Sequence, residues 1–183
     1  MILPIYAFGQ PVLRKPTEEI EDNSDELQQL IDDMFETMYE SNGIGLAAPQ
    51  IGKALRLFIL DGSEIENIKP EGFKEVFINP QIEDEFGIKW EFEEGCLSIP
   101  DIRANVIRHA ELKINYLDRD FKEHTKTFDG MAARIIQHEY DHIEGILFTD
   151  RIAPLKRSML KRRLESISKG RVNVGYKMKF PNR

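Results

Sequence analysis

Two histidines, His138 and His142, and the glutamate that follows the first of them are the residues whose types and spacing best suit chemistry. Residues four apart on a helix project from the same face, so these imidazoles could hold one metal ion. Glu139 stands where it could accept a proton from a water molecule at that ion. The five-residue pattern also occurs by chance, so its interpretation depends on the rest of the chain.

The sequence around these histidines predicts a helix. Asp129 can cap its start, residues 131–143 are mostly apolar, and Gly145 stands where a helix usually ends. The stripe expected to face the interior consists of Met131, Ile135, His138 and His142. Because the histidines extend an apolar stripe, the pattern predicts a buried metal site.

The third metal ligand decides the class of enzyme, because a catalytic metal usually takes three ligands from the protein. A histidine six residues beyond His142 would complete one metallopeptidase pattern, but Phe148 stands there. The remaining candidates are Glu165, the one acidic residue in 155–183, and Cys96, the one cysteine of the chain. Cys96 could instead be an ordinary small buried side chain. The residues by themselves leave this choice open, and Glu165 would make the protein a zinc metallopeptidase.

Composition places the chain among globular proteins. Of its 183 residues, 41% are hydrophobic and 31% are charged, and no apolar run approaches the length that crosses a membrane. The first residues lack the basic start and long apolar run of a signal peptide. A single cysteine permits no internal disulfide, which suits the cytoplasm. We therefore expect one domain over residues 1–183, a cytoplasmic location and no membrane partner.

Charge is distributed unevenly along the chain. The net charge is −7, yet residues 155–183 contain ten Lys or Arg and one acidic residue. A basic carboxyl-terminal helix and tail on an acidic body indicate a polyanionic partner such as RNA, although a well-solvated helix face has the same composition. A non-enzymatic RNA-binding module with a structural metal is therefore an alternative to an enzyme.

The remaining elements are predicted from apolar periodicity. Helices are expected at about 23–41, 131–143 and 154–168, and strands at 55–60, 73–79, 82–92, 104–117, 121–128 and 172–178. Asn23 and Glu26 resemble a capping box, and Pro80 is expected to end a strand. Strands gathered between helices without regular alternation predict an α+β fold. We expect mostly antiparallel sheets packed around the histidine-bearing helix, with a carboxyl-terminal helix.

The uncharged segment Gly43–Gln50, GIGLAAPQ, is predicted to be a loop. A phosphate-binding glycine loop should follow a strand and open a helix, whereas this segment follows a helix and precedes a strand. Gln50 could instead donate a hydrogen bond to a developing oxyanion without adding charge beside a metal. It could equally tie down the backbone of the loop.

Three segments in order resemble the signature motifs of peptide deformylases of the bacterial type: GIGLAAPQ (43–50), EGCLS (94–98) and QHEYDH (137–142). The resemblance implies removal of the formyl group from the N-formylmethionine of newly made polypeptides. It also implies that Cys96, His138 and His142 bind Fe2+, with Zn2+, Ni2+ or Co2+ able to replace it.

The expected roles of the other site residues follow from that reaction. Glu139 would move a proton from water to the leaving amine, and the Gln50 side chain and the Leu97 backbone N–H would stabilise the oxyanion. The expected methionine pocket is formed by Ile44, Leu46, Met131 and Ile135. Gly45 would pair its backbone with an extended peptide. Glu94 and Arg103 would brace the site or meet the peptide backbone, whereas the two residues on their own favour a surface ion pair.

The expected partners are N-formylmethionyl nascent peptides. The basic residues Lys156, Arg157, Lys161, Arg162 and Arg163 of the carboxyl-terminal helix could dock on the ribosome through phosphate contacts. The protein is expected to be a monomer.

Overall fold

The computed structural model describes residues 1–181, so Arg183 of the basic tail lies outside the described residues. The helices are α1 (Asp25–Glu40), α2 (Gly130–Ile143) and α3 (Pro154–Ser168). The strands are β1 (Ile5–Tyr6), β2 (Gly45–Ala47), β3 (Leu57–Asp61), β4 (Lys74–Cys96), β5 (Ile99–Leu117), β6 (Glu123–Asp129) and β7 (Met178–Lys179). Short 3-10 helices occupy Pro11–Arg14, Ala48–Ile51 and Phe148–Arg151.

The larger sheet has five antiparallel strands in the order β2-β3-β4-β5-β6. A small parallel pair, β1 with β7, joins the two ends of the described chain. The predicted α+β fold with mostly antiparallel strands is confirmed. No helix among residues 1–181 combines the length and the apolar character that crossing a bilayer requires.

Helices α1 and α2 pack on opposite faces of the sheet because side chains alternate along each strand. Phe58 and Phe77 belong to the core that includes Ile136 of α2. Leu57 and Ile59, their neighbours along β3, belong to the core that includes Met34 of α1. The histidine-bearing helix is therefore held against a rigid sheet, which fixes its position relative to β4 and β5.

Helix α3 packs elsewhere, against the start of β5. Its buried residues Leu164 and Ile167 share a core with Ile99 and Ile102. These two residues are three positions apart and therefore lie on one side of α3, the side that packs against β5. The rest of α3 faces outward.

Several sequence-based boundaries are wrong. Strand β4 runs through Pro80 without ending, because Pro80 falls at a register shift where Asn79 has a positive φ of 49° and proline is tolerated in bulges. The cap of α1 is Ser24, whose side chain accepts from the backbone of Leu27, and not Asn23. Asp129 occupies the cap position of α2 without a side-chain hydrogen bond.

Two further segments differ from expectation. Residues 43–50 are not a loop throughout, since they include β2 and the start of a 3-10 helix. The strand predicted at 172–178 is reduced to β7, Met178–Lys179, which finds its partner in β1. Both differences arise because these strands pair with residues distant in sequence, and the apolar periodicity of a segment carries no information on its pairing partner.

Candidate metal centre

Cys96, His138 and His142 come together although they lie on different elements. Cys96 ends β4, and both histidines lie on α2. One ligand atom from each residue lies within 4.8 Å of the others, and Cys96 Sγ is 3.3 Å from His142 Nε2. The two imidazole rings are 5.2 Å apart and nearly perpendicular. Within the described part of the chain this is the group of potential metal ligands that the fold assembles.

His138 is oriented by a buried carboxylate. Its Nδ1 is 2.9 Å from Oε2 of Glu94, which leaves Nε2 for a ligand, a common arrangement at metal centres. Burial would raise the pKa of Glu94, but hydrogen bonds with His138 and Arg108 outweigh it and hold that pKa well below its usual range. The expected surface pair of Glu94 with Arg103 is wrong: Glu94 is buried, and the exposed Arg103 donates to Glu93 instead.

A network of buried charges ties this carboxylate to α2. Arg108 donates to both oxygens of Glu94, at 2.7 and 2.9 Å, and to Asp141 at 2.9 Å. Arg134 donates to Glu94 at 2.7 Å, and Arg151 donates twice to Asp141. Arg108 therefore connects the hairpin of β4 and β5 with the helix that carries the histidines.

Sequence reasoning missed these arginines. Asp141 and Glu94 lie inside the quoted motifs, so the sequence does indicate that these two residues belong near the site. Arg108 and Arg134 carry no local signal, because an isolated arginine on a strand or helix is usually exposed. Only the packing of α2 against β5 reveals that they are buried.

Glu139 lies beside the ligands with one carboxylate oxygen free. Its side chain is buried, and Oε2 has no hydrogen-bond partner among the described residues. Burial is the main cause that raises the pKa of Glu139 to about 7, with the charge of His138 opposing it. A carboxylate whose pKa lies near neutrality can both accept and return a proton.

Gln50 is buried with its amide orientation fixed. Its Oε1 accepts from the backbone N–H of Ala47 at 2.9 Å, so the NH2 group must point the other way. Nε2 lies 3.4 Å from both Cys96 Sγ and Ser98 Oγ. Gln50 thus stabilises the backbone at Ala47, and the same hydrogen bond orients the Nε2 donor of Gln50 toward Cys96. Leu97 follows Cys96 in the turn between β4 and β5 and lines the same cleft.

A cleft of about 550 Å³ opens over these residues. Gly45, Glu94, Arg103, Met131 and Ile135 line it, and so does Ile44, a residue that is 46% exposed. Met131 and Ile135 also contact the core between α2 and the sheet. The same two side chains therefore pack in the core and line the cleft.

Leu46 was expected in this cleft, and that expectation is wrong. Its side chain is fully buried in the core beneath α1. Gly45 and Leu46 are neighbours in β2, and adjacent strand residues point to opposite faces of a sheet. Gly45 faces the cleft, so Leu46 faces away from it.

The alternative third ligand, Glu165, is also wrong. It is exposed on α3 and is absent from the ligand group. Its neighbours Leu164 and Ile167 are the buried residues of that helix, so Glu165 points outward.

The three side chains fit a bound divalent metal. A thiolate and two imidazoles are a donor set typical of transition-metal sites. His142 is buried, and burial lowers its pKa well below the usual value, so its ring stays neutral with a lone pair available. The partnerless Oε2 of Glu139 marks a polar position beside the ligands that the protein itself leaves unsatisfied.

Comparison with known proteins gives a consistent result. A family model described as polypeptide deformylase matches residues 2–158. The peptide deformylase of Cytophaga hutchinsonii is 52% identical over 181 residues, covering 99% of this chain and 98% of that protein. The peptide deformylase of Christiangramia forsetii is 49% identical over 191 residues, covering 100% of this chain and 97% of that protein.

Solved structures agree with the sequence comparison. A crystal structure of a peptide deformylase from Legionella pneumophila has a TM-score of 0.82 at 40% identity, covering 93% of this chain and 98% of that chain. A peptide deformylase from Thermotoga maritima has a TM-score of 0.77 at 37% identity, covering 84% and 99%. Since sequence and structure match along nearly the whole length, the chain belongs to the polypeptide deformylase family, metal-dependent hydrolases that remove the formyl group from nascent peptides.

Proposed function

We propose that Cys96, His138 and His142 hold one metal ion at which formyl-methionyl peptides are hydrolysed, with Glu139 as the group that moves the proton. The observation that carries this assignment is the buried Glu139, whose Oε2 has no hydrogen-bond partner among the described residues and which lines the same cleft as Cys96 and His138. Membership of a hydrolase family contradicts the non-enzymatic alternative, an RNA-binding module.

The chain's own residues divide the reaction among them. When bound, the ion supplies Lewis-acid chemistry, which polarises the formyl carbonyl and favours deprotonation of water. Oε2 of Glu139 accepts the proton of the attacking water and returns it to the nitrogen of the leaving amine. Nε2 of Gln50 and the backbone N–H of Leu97 donate to the oxyanion that develops on the formyl oxygen. The products are formate and a free amino terminus.

Substrate binding is assigned to β2 and α2. Strand β2 is an edge of the five-stranded sheet, so the backbone of Gly45 can pair with an extended peptide. Such pairing reads no side chains, which suits an enzyme whose substrates differ beyond their first residue. Met131 and Ile135 supply an apolar wall for the methionine side chain, and Ile44 lines the same cleft.

We assign Fe2+ as the resident ion, with Zn2+, Ni2+ or Co2+ as substitutes. Thiolate and imidazole ligands accommodate all four ions, so geometry alone does not rank them. Ferrous iron beside a thiolate is open to oxidation at both metal and sulfur. Metal analysis of protein purified without oxygen, compared with protein purified in air, tests this assignment. Iron lost in air together with activity supports it, and zinc under both conditions contradicts it.

The ribosome is the proposed docking partner of α3, and the cytoplasm the proposed location. Leu155 and Met159 are 77% and 75% exposed on that helix. Arg157 pairs with Asp150 and Arg163 contacts the backbone of Asp101, so docking falls mainly to three other basic residues, Lys156, Lys161 and Arg162. The protein acts as a monomer in this proposal, since one chain carries all three ligands.

Cosedimentation with ribosomes tests the docking proposal. Lys156→Glu with Lys161→Glu should abolish an association that weakens as salt rises, because phosphate contacts are salt-dependent. The control is Lys113→Glu with Lys126→Glu, which reverses the same charge on β5 and β6. Binding that ignores salt, or that both double variants reduce equally, contradicts docking through α3.

Formate release from a formyl-Met-Ala-Ser peptide tests the reaction and the central roles together. The metal-loaded wild type should turn over, Cys96→Ala should lose its metal, and Glu139→Ala should keep metal without activity. Glu165→Ala is the matched control and should keep both, because Glu165 is exposed and outside the site. A folded, metal-loaded wild type that releases no formate would overturn the proposal.

A further inference from the structure

The turn that carries Leu97 is held from outside by both ends of the described chain. The hydroxyl of Tyr176 donates to the backbone carbonyl of Leu97 at 2.8 Å. The backbone N–H of Phe8 donates to the carbonyl of Ser98, also at 2.8 Å. Two successive carbonyls of the turn are therefore fixed by residues that lie far from it in sequence.

Tyr176 is itself placed by a strand pairing. In that pairing Ile5 lies opposite Met178 and Tyr6 opposite Lys179, and the N–H of Ile5 donates to the carbonyl of Lys177 at 2.8 Å. The Tyr176 ring packs in the same core cluster as Leu97. The carboxyl-terminal tail is thus attached to the body next to the turn, and it brings a hydroxyl group to the turn.

One partner of this contact, Tyr176, lies outside the part of the chain that the family model matches. The family model ends at residue 158, whereas Tyr176 belongs to the tail that follows α3. Among the described residues Tyr176 makes no hydrogen bond to Cys96, His138 or His142, although Met178 and Phe180 of the tail pack in the same core cluster as Cys96. The hydrogen bond by which the Tyr176 hydroxyl reaches the site is the one to the Leu97 carbonyl.

We propose that Tyr176 is a positioning residue for the deformylation reaction, which orients the Leu97 backbone so that its N–H points at the developing oxyanion. The inference rests on the proposed role of Leu97. A carbonyl held by a phenol fixes the peptide unit that follows Leu97, and the N–H belongs to the unit that precedes it. Both units meet at the Cα atom of Leu97. If the unit that follows Leu97 is free to rotate, the unit that carries the Leu97 N–H can therefore rotate as well.

The expected size of the effect is bounded by known cases. Complete loss of one oxyanion donor lowers the rate by about 10²–10³. A donor that is merely misdirected retains part of its effect, so loss of the Tyr176 hydroxyl should lower kcat by about tenfold. The Michaelis constant should change by less than about twofold, because the oxyanion contact is made chiefly in the transition state.

Tyr176→Phe tests the proposal because it removes the hydroxyl and keeps the ring. The matched control is Tyr6→Phe, which removes the hydroxyl that accepts from Lys179 Nζ at 3.1 Å in the same tail. Both variants loosen the attachment of the tail, but only Tyr176→Phe touches the turn. Formate release, metal content and the melting temperature are measured for both, together with the amide chemical shifts of Leu97 and Ser98 in ¹⁵N-labelled, zinc-loaded protein.

The expected result is a fall in kcat and a shift of the Leu97 amide resonance in Tyr176→Phe, with neither change in Tyr6→Phe and equal metal content in both. An unchanged kcat in Tyr176→Phe overturns the proposal, and so does an equal fall in both variants. A fall in kcat that follows metal loss overturns it as well. If the wild type released no formate, the proposed function would fail, and an unmoved Leu97 resonance in Tyr176→Phe would then independently refute the positioning contact.

Discussion

Gly45 of β2 lies directly against the Glu139 side chain of α2: a Cβ atom added to Gly45 would be 2.8 Å from Cδ and 2.9 Å from Cγ of Glu139. Real Cβ atoms do not approach other heavy atoms so closely, so one of the two residues would have to move. The absence of a side chain at position 45 thus leaves the space that the Glu139 side chain occupies. The strand proposed to bind the peptide and the residue proposed to move the proton are in van der Waals contact.

Gly45→Ala should lower kcat by about 10², because displacement of a reacting group by about 1 Å has that effect. The added methyl group should also cost about 1–3 kcal/mol of folding stability through overpacking. Metal content should stay at the wild-type level, since no ligand is touched. Formate release, metal analysis and thermal unfolding measure the three quantities.

Gly175→Ala is the matched control for that substitution. A Cβ at Gly175 would meet no atom within 4 Å. Both activity and stability should therefore stay close to wild type. Full activity in Gly45→Ala would show that Glu139 tolerates displacement.

Arg108→Met should destabilise the protein by about 3–5 kcal/mol, because it leaves the buried carboxylates of Glu94 and Asp141 without their shared partner. The control is Arg103→Met, whose pair with Glu93 is exposed on both sides and should contribute no more than about 1 kcal/mol. Urea unfolding of the two variants gives the comparison. Equal losses would mean that burial of the network has no energetic weight.

Gln50→Glu should lower kcat by about 10²–10³. The new carboxylate keeps the oxygen that accepts from the Ala47 N–H, but it replaces the donor near Cys96 with an acceptor. Ser98→Ala removes only the other neighbour of Nε2 and should have a much smaller effect. Steady-state kinetics of the two variants distinguish donation to the oxyanion from simple support of the loop.

Asp118→Asn should reduce stability by about 1 kcal/mol at neutral pH. Burial raises the pKa of Asp118, but hydrogen bonds from His124 and from the backbone of Lys122 and Asp120 outweigh it and lower the pKa below 3.8. A depressed folded-state pKa stabilises the folded protein above the unfolded-state value and loses that effect as pH falls through the folded-state value. Wild type and variant should therefore converge in urea unfolding as the pH falls below about 3.8.

Asp120→Asn is the control for this pH dependence. It removes the same charge from the same turn, but its exposed side chain makes none of these hydrogen bonds. Its stability should follow that of the wild type across the whole pH range. A difference between wild type and Asp118→Asn that grows in acid would contradict the assigned direction of the pKa shift.

The local part of the site could be predicted because helical spacing is a property of neighbouring residues. The same face of α2 carries His138 and His142, as the interval of four residues requires. Spacing alone does not distinguish Cys96 from Glu165 as the third ligand, because ligands on separate elements have no fixed interval. Glu165 failed for a reason visible only in the fold: it lies on the outward side of α3.

Tertiary contacts account for the remaining errors. The sequence predicts a loop over residues 43–50, and a loop imposes no alternation of faces that would exclude Leu46 from the cleft. Once β2 pairs with β3, the alternation decides that Gly45 faces the cleft and Leu46 the core. Pro80 would end an isolated strand, yet β4 continues because neighbouring strands hold it on both sides of the bulge.

The distribution of the ligands along the chain also dictates when the protein can first work. Cys96, His138 and His142 emerge from the ribosome in that order during synthesis. The β4–β5 hairpin, which carries Cys96, is therefore made before α2 supplies the two histidine ligands. An ion bound there joins β4 to α2 and closes the long loop between them, as a cross-link would. A molecule that removes the formyl group from the first residue of other growing chains is therefore unable to capture its own metal until its histidine helix has been made.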